Sequence, residues 1–213
     1  MQQLPAEVCL IKGRMMEEIT FEEIKRLQAG DRDVFNRIIA IYRKRVISLC
    51  SKYMRNAEEA KDAAQEAFCA AYTGIKGFEF KSKFSTWMYR LTVNRCINRL
   101  NSLKRRDAMH AGRAEEAARS YEENFLKDGG RLPDEEMEQK EFGLLVLKEL
   151  ERFSREDRAI ILLHDMEGLS WDEISVIMGM PAGSARSAAS RARHRLKKIL
   201  ERKARQADEK KRG

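Results

Sequence analysis

Apolar residues return at steps of three and four along most of this chain, and no segment shows the two-residue alternation of a half-buried strand. A chain with that rhythm buries one stripe of each of several helices, so the expected fold class is all-α. Phe35, Ile38, Ile39, Tyr42, Val46, Leu49, Cys50 and Tyr53 mark one long helix, with Asp31 as its cap. A shorter helix precedes it, opened by a capping box of Thr20 and Glu23 and closed by Gly30. After Asn56 an alanine-rich pattern follows: Ala60, Ala63, Ala64, Ala67, Phe68, Ala71 and Ile75. Its small side chains let neighbouring helices approach closely, and it ends near Gly74 to Gly77. Phe78 to Lys83 reads as a loop. The next helix starts near Ser82 or Ser85, puts Phe84, Met88 and Leu91 in the core, and runs through Leu100 to the basic cluster Lys104, Arg105 and Arg106.

Beyond that cluster the character changes. Residues 1–106 carry a net charge of +9, residues 107–140 carry −5, and residues 141–213 carry +4. The acidic stretch is broken by Gly112, Gly129, Gly130 and Pro133 and is poor in large apolar residues, the composition of a linker. Helical periodicity resumes from about Asp134 with Leu144, Leu145, Leu147 and Leu150, and a further helix spans about Arg155 to Asp165 before Gly168. The expected architecture is two small helical bundles joined by a flexible acidic linker. Its divisions are a flexible N-terminal extension over 1–18, a bundle over 19–106, the linker over 107–135, a second bundle over 136–203 and a basic tail over 204–213. Two basic blocks around an acidic one point to a polyanionic partner more than to uniform solubilisation.

The most specific local pattern lies between Leu169 and Arg191. Ser170 and Glu173 form a capping box for a short helix whose Ile174, Ile177 and Met178 face inward. Gly179 supplies a left-handed stop, Pro181 prevents continuation, and Ser184 is a cap for the next helix. Two short helices joined by a glycine-containing turn, the second one basic, match a DNA-binding helix-turn-helix. In that second helix Ala185, Ala188, Ala189, Ala192 and Leu196 share one stripe, and Arg186, Ser187, Ser190 and Arg191 lie opposite. Arginine reads guanine through O6 and N7, and serine accepts several bases or a phosphate. An ordinary amphipathic helix with a solvated outer face is the plainer alternative.

A second segment, Phe84 to Arg90 continuing to Asn94, Arg95 and Arg99, mixes aromatic rings with cations. Such a surface captures unpaired bases by stacking while arginines hold phosphates, and the lysine-rich loop before it (Lys76, Lys81, Lys83) is placed to close over an extruded base. The same spacing also suits plain packing, and Trp87 fits either use.

Taken together, these strings resemble the extracytoplasmic-function subfamily of bacterial RNA polymerase sigma factors. Asp62-Ala63-Ala64-Gln65-Glu66-Ala67-Phe68, Phe84 to Arg90 and Val93-Asn94 are similar to its polymerase-binding and promoter-melting portion. Gly168 to Ile174, Pro181, Gly183 to Ser187 and Arg191 to Arg193 are similar to its C-terminal DNA reader. The resemblance implies that Asp62, Gln65, Glu66 and Phe68 dock on the clamp helices of the polymerase largest subunit, the flap region of the second-largest subunit being a further contact. It implies that Lys81, Lys83, Ser85, Thr86, Trp87, Arg90, Asn94, Arg95 and Arg99 hold the melted −10 element. It assigns Ser184, Arg186, Ser187, Ser190 and Arg191 to the −35 element, and makes an anti-sigma protein a candidate partner. The chain departs from the family at Ser184-Ala185, Ala188 and Ser190, and at Phe80, where a glycine is usual.

No catalytic constellation accompanies these features. The four cysteines form no C-x-x-C pair, and His110, His164 and His194 are scattered, so neither a metal nor a cofactor is expected. The cysteines are expected to pack as small hydrophobes. No apolar run approaches the roughly 20 residues of a membrane span, and Glu7, Glu17 and Glu18 do not suit a signal peptide, so a reduced, cytoplasmic protein without membrane insertion is expected. Two rival functions remain: a helix-turn-helix regulator that binds duplex DNA without joining the polymerase, and a nucleic-acid-processing enzyme.

Overall fold

A computed structural model describes residues 19–54, 56–109 and 134–212. The expected N-terminal extension and most of the expected linker lie outside them. The described residues divide between two compact units, and every regular element in them is helical.

The first unit contains α1 (Phe21–Gln28), α2 (Arg32–Tyr53), α3 (Ala57–Gly74), a 3-10 turn (Ile75–Gly77) and α4 (Phe84–Met109). Its caps are those the sequence spells out. Thr20 and Glu23 close a reciprocal capping box, in which the Thr20 N–H donates to Glu23 Oε2 at 2.9 Å and the Glu23 N–H to Thr20 Oγ1 at 3.3 Å. Asp31 caps α2 and also takes an ion pair from Arg26 at 2.7 Å, pinning the turn between α1 and α2. Gln28 Nε2 donates to the carbonyls of Ile75 and Phe78, both at 3.0 Å, so α1 ends by satisfying the chain reversal after α3. Ala60, Ala63, Ala64, Ala67 and Ala71 are all buried, and this stripe brings α3 against α2 and α4.

The second unit contains α5 (Asp134–Leu150), α6 (Arg155–Ile161), a π-helical turn (Leu162–Met166), α7 (Trp171–Met178) and α8 (Ala182–Arg212). Leu150, Ile160, Leu162, Leu163, Ile174 and Leu196 are fully buried. Glu149 is buried as well, with Lys203 at 2.5 Å and Arg152 at 3.4 Å, which ties α5 to the far part of α8. The basic segment expected as a tail over 204–213 continues as helix to Arg212.

Two packing expectations need correction. Leu91 is only half-buried; the covered stripe of α4 runs through Met88, Thr92, Val93 and Cys96, and Leu91 falls on its flank. Thr92 is tolerated inside because its hydroxyl donates to the Met88 carbonyl at 2.9 Å. Cys69 is exposed, because α3 turns its alanines inward and that position outward, whereas Cys50 and Cys96 are fully buried with sulfurs 3.6 Å apart.

The hydrogen bond from the Thr20 backbone holds the Glu23 carboxyl below its ordinary value of 4.5, against the opposing effect of burial. Folding lowers this pKa, so the stabilisation is complete above the unfolded value and is lost as pH falls through the folded one. Glu23→Gln should lower stability by about 1 kcal/mol at neutral pH. Its denaturant midpoint should converge with that of the parent chain below the ordinary pKa of 4.5; a constant gap across the acid range would contradict this. Gly179 has φ +65° and open space where a Cβ would lie, so Gly179→Ala meets only backbone strain. A loss of about 1 kcal/mol is expected in denaturant unfolding, and an unchanged midpoint would refute it.

Candidate functional site

The outer face of α3 carries Glu59, Asp62 and Glu66 at spacings of three and four, which aligns their carboxylates. Arg99, reaching across from α4, sits among all three. Its Nη2 meets Asp62 at 2.6 Å, its Nη1 meets Glu66 at 2.6 Å, and its Nε meets Glu59. Burial works against charge on Arg99, yet Glu59, Glu66 and Asp62 outweigh it and hold the guanidinium pKa above its ordinary value. Arg106 reaches Glu59 from the rim at 3.4 Å. The side chains of Asp62 and Glu66 remain 54% and 46% exposed, whereas that of Arg99 is only 20% exposed. Gln65 is exposed and Phe68 half-buried on the same helix. Arg99, expected among the −10 contacts, lies at the centre of an ion cluster. Glu59, two turns before Glu66, was the readable signal for it.

The loop before α4 is built on aromatic contacts. Phe78 is buried, with its ring centroid 5.1 Å from Trp87 and 5.1 Å from Phe80. Phe80 has φ +59°, in the left-handed region, and packs on Phe21 of α1 at 4.5 Å with the Lys25 ammonium 5.1 Å from its ring. Neither Phe21 nor Lys25 was evident from sequence as part of this surface, because α1 lies some fifty residues away along the chain. Ile19, Phe21, Tyr42, Phe80, Lys83 and Ser85 line a cleft there. Trp87 sits well round α4 from the buried stripe, lies 5.6 Å from Phe84 and packs over Gly74, where a Cβ would come within 3.5 Å of the indole. The ring is thus half-buried, with one side packed.

Lys83, Arg90 and Asn94 are exposed and Arg95 is half-exposed, while Lys81 is ion-paired with Glu79, whose hydrogen bond raises the lysine pKa. Two expected contacts move inward. Thr86 is 2% exposed and belongs to the core at the start of α4; Ser85 is buried at the cleft.

In the second unit α7 and α8 form the expected helix-turn-helix. The Ser170–Glu173 capping box is complete, and Gly179 ends α7 with φ +65°. Helix α8 starts at Ala182, so Ser184 lies inside its first turn instead of capping it: the Pro181 carbonyl already accepts the Ala185 N–H at 3.1 Å. Ala185, Ala189, Ala192 and Leu196 are fully buried, while Ser184, Arg186, Ser187, Ser190 and Arg191 are exposed. Trp171 opens α7 and braces this helix. It stacks on His164 at 3.8 Å, and the guanidinium carbons of Arg193 and Arg186 lie 5.7 and 5.9 Å from its ring. Arg193 also holds Asp165 through two bonds of 2.5 and 3.0 Å.

Among the described residues no cluster of His, Cys, Asp or Glu is arranged to hold a metal, and no helix is long and apolar enough to cross a membrane.

Comparison with known proteins matches each unit separately. Residues 38–106 match the family model of Sigma-70 region 2, and residues 144–196 match that of Sigma-70, region 4. The chain is 32% identical over 185 residues to the ECF RNA polymerase sigma factor SigW of Bacillus subtilis (strain 168), covering 87% of this chain and 98% of that protein. It is 35% identical over 188 residues to the ECF RNA polymerase sigma-E factor of Escherichia coli (strain K12), covering 85% and 95%. The fold is similar to that of the sigma factor RpoE solved with the anti-sigma factor NepR from Bartonella quintana, with TM-score 0.56, 19% identity and coverage of 80% and 98%. The chain belongs to the extracytoplasmic-function (ECF) family of RNA polymerase sigma factors.

Proposed function

We propose that the two helical units divide the work of transcription initiation between named surfaces. The chain is an ECF-type sigma factor, which binds core RNA polymerase, recognises the −35 and −10 promoter elements and promotes strand opening. In our assignment it acts as a binding subunit without catalysis of its own, in the cytoplasm where the polymerase works. The first unit, residues 19–106, docks on the clamp helices through Asp62, Gln65, Glu66 and Phe68. It holds the opened −10 strand along Lys81, Lys83, Ser85, Trp87, Arg90, Asn94 and Arg95. The second unit, residues 136–203, reads the −35 element through Arg186, Ser187, Ser190 and Arg191, with Ser184 available to a phosphate. The residues between them form the linker. A relative of the same fold is solved with an anti-sigma factor, which supports such a protein as a further partner here.

The observation that carries this reading is the sorting of α8, whose alanine face is fully covered while Arg186, Ser187, Ser190 and Arg191 stay exposed behind the glycine turn. A helix so seated presents its N-terminal half to a major groove. The stacked partners of Trp171 set the approach of Arg186. Tethering two DNA contacts raises the effective concentration of each for the other without new contacts.

Run-off transcription tests the function directly. Purified chain with core polymerase should start transcripts at discrete sites on genomic fragments, and a chain that neither joins the polymerase nor directs initiation would end the proposal. Arg186→Ala should weaken promoter binding by about 1–3 kcal/mol, confined to the upstream element; an unaltered −35 footprint would reject that role. Asp62→Ala with Gln65→Ala should weaken core polymerase assembly by about tenfold while sparing the fold. Undiminished assembly would count against the docking face.

A further inference from the structure

We infer that Arg99 is a positioning residue for the polymerase-docking face, a guanidinium that holds the carboxylates of Asp62 and Glu66 in the geometry a basic partner helix accepts. The inference rests on the assignment of that face to docking. It differs from the expected role of Arg99 as a contact to the −10 strand.

Three negative side chains at spacings of three and four on one helix repel one another and would splay. A single planar fork placed among them changes this, because each nitrogen of Arg99 addresses a different carboxylate. The fork is covered and the acids are not: Arg99 is 20% exposed, against 54% for Asp62 and 46% for Glu66. Arg99 thus belongs to the α3–α4 contact, and the acids keep oxygen surface directed outward. One cation among three anions leaves the cluster net negative even with Arg106 at its rim, so attraction for a basic partner persists. Holding two flexible side chains in advance removes an ordering cost from binding. Arg99 is not positioned as a competitor that must leave, since its withdrawal would strip the half-buried Glu59 contact as well.

This arrangement gives a kinetic signature that simple loss of stability lacks. Removing Arg99 makes the face more negative, so association with a basic partner stays equal or quickens at low salt. The unheld carboxylates make a poorer complex, so dissociation accelerates.

The test uses the full chain, core polymerase, and a single-stranded oligonucleotide of the non-template −10 sequence taken from a promoter mapped by run-off. Arg99→Ala should lower affinity for core polymerase by about five- to tenfold through faster dissociation, with oligonucleotide affinity within about twofold of the parent chain. Combined with Asp62→Ala and Gln65→Ala, it should add little further loss. Arg99→Lys keeps a charge but cannot serve three carboxylates at once, and should fall between the two; it also decides the matter should Arg99→Ala melt too readily to measure. Unchanged or tighter assembly by Arg99→Ala, full activity of Arg99→Lys, slower association with unchanged dissociation, or lost oligonucleotide binding with intact assembly would each overturn the inference. Undiminished assembly by the Asp62→Ala, Gln65→Ala chain would instead overturn the docking assignment beneath it, so the two failures are distinguishable.

Discussion

Close approach of helices over alanine governs both units. In α3 the buried stripe from Ala60 to Ala71 presses the helix onto α2 and α4. In α8 Ala185, Ala189 and Ala192 do the same against α6 and α7. Larger side chains would hold these helices further apart, and the consequences would reach the outer surfaces. Arg99 spans from α4 to three carboxylates of α3 only because the two backbones lie near each other. Trp171 touches both His164 and the arginines of α8 for the same reason. Small residues inside therefore decide where the large charged ones outside can stand.

Some cations are committed to carboxylates of this chain and others face solvent. Arg99, Arg193, Arg195 and Lys203 are committed to internal carboxylates: the Glu59 cluster, Asp165, Asp157 and Glu149 respectively. Lys83, Arg90, Arg186 and Arg191 face solvent at the loop, on α4 and on the recognition helix. A basic chain of net charge +8 thus spends part of its charge on fastening helices together. Further exposed cations stand on α2, at Arg32, Arg43 and Lys44, and on the far part of α8, at Lys197, Lys198 and Arg202. The partly covered Lys203–Glu149 pair shows the structural half of this division, joining elements some fifty residues apart along the chain.

Much of this was legible in the sequence because its signals are local. Capping boxes at Thr20 and Ser170, the glycine stop at Gly179 and the alanine faces are each set by residues within a turn or two of one another, and they emerge where the sequence puts them. The exposed face of α8 was legible for the same reason, since a helix sorts its faces by spacing alone. The surface formed by α4 and the loop before it was less so. Its loop is shaped by Phe21 and Lys25, which only tertiary packing brings to Phe80. Thr86 was placed among the −10 contacts by the resemblance alone, and the position of the core stripe on α4 turns it inward. The ion cluster around Arg99 was not legible because its partners lie on another helix. Ser184 looked like a cap because it follows a glycine, whereas α8 begins two residues earlier, directly after Pro181.

The left-handed backbone at Phe80 has a consequence for how the loop before α4 is governed. A residue with a Cβ pays about 1–2 kcal/mol to sit there. The compensation at hand is ring contact with Phe21 and Phe78. The leading helix therefore acts as a clasp on the loop, and the loop's conformation is coupled to whether α1 stays seated. A glycine at that position would need no clasp, so this chain has exchanged intrinsic backbone freedom for control by a remote aromatic side chain.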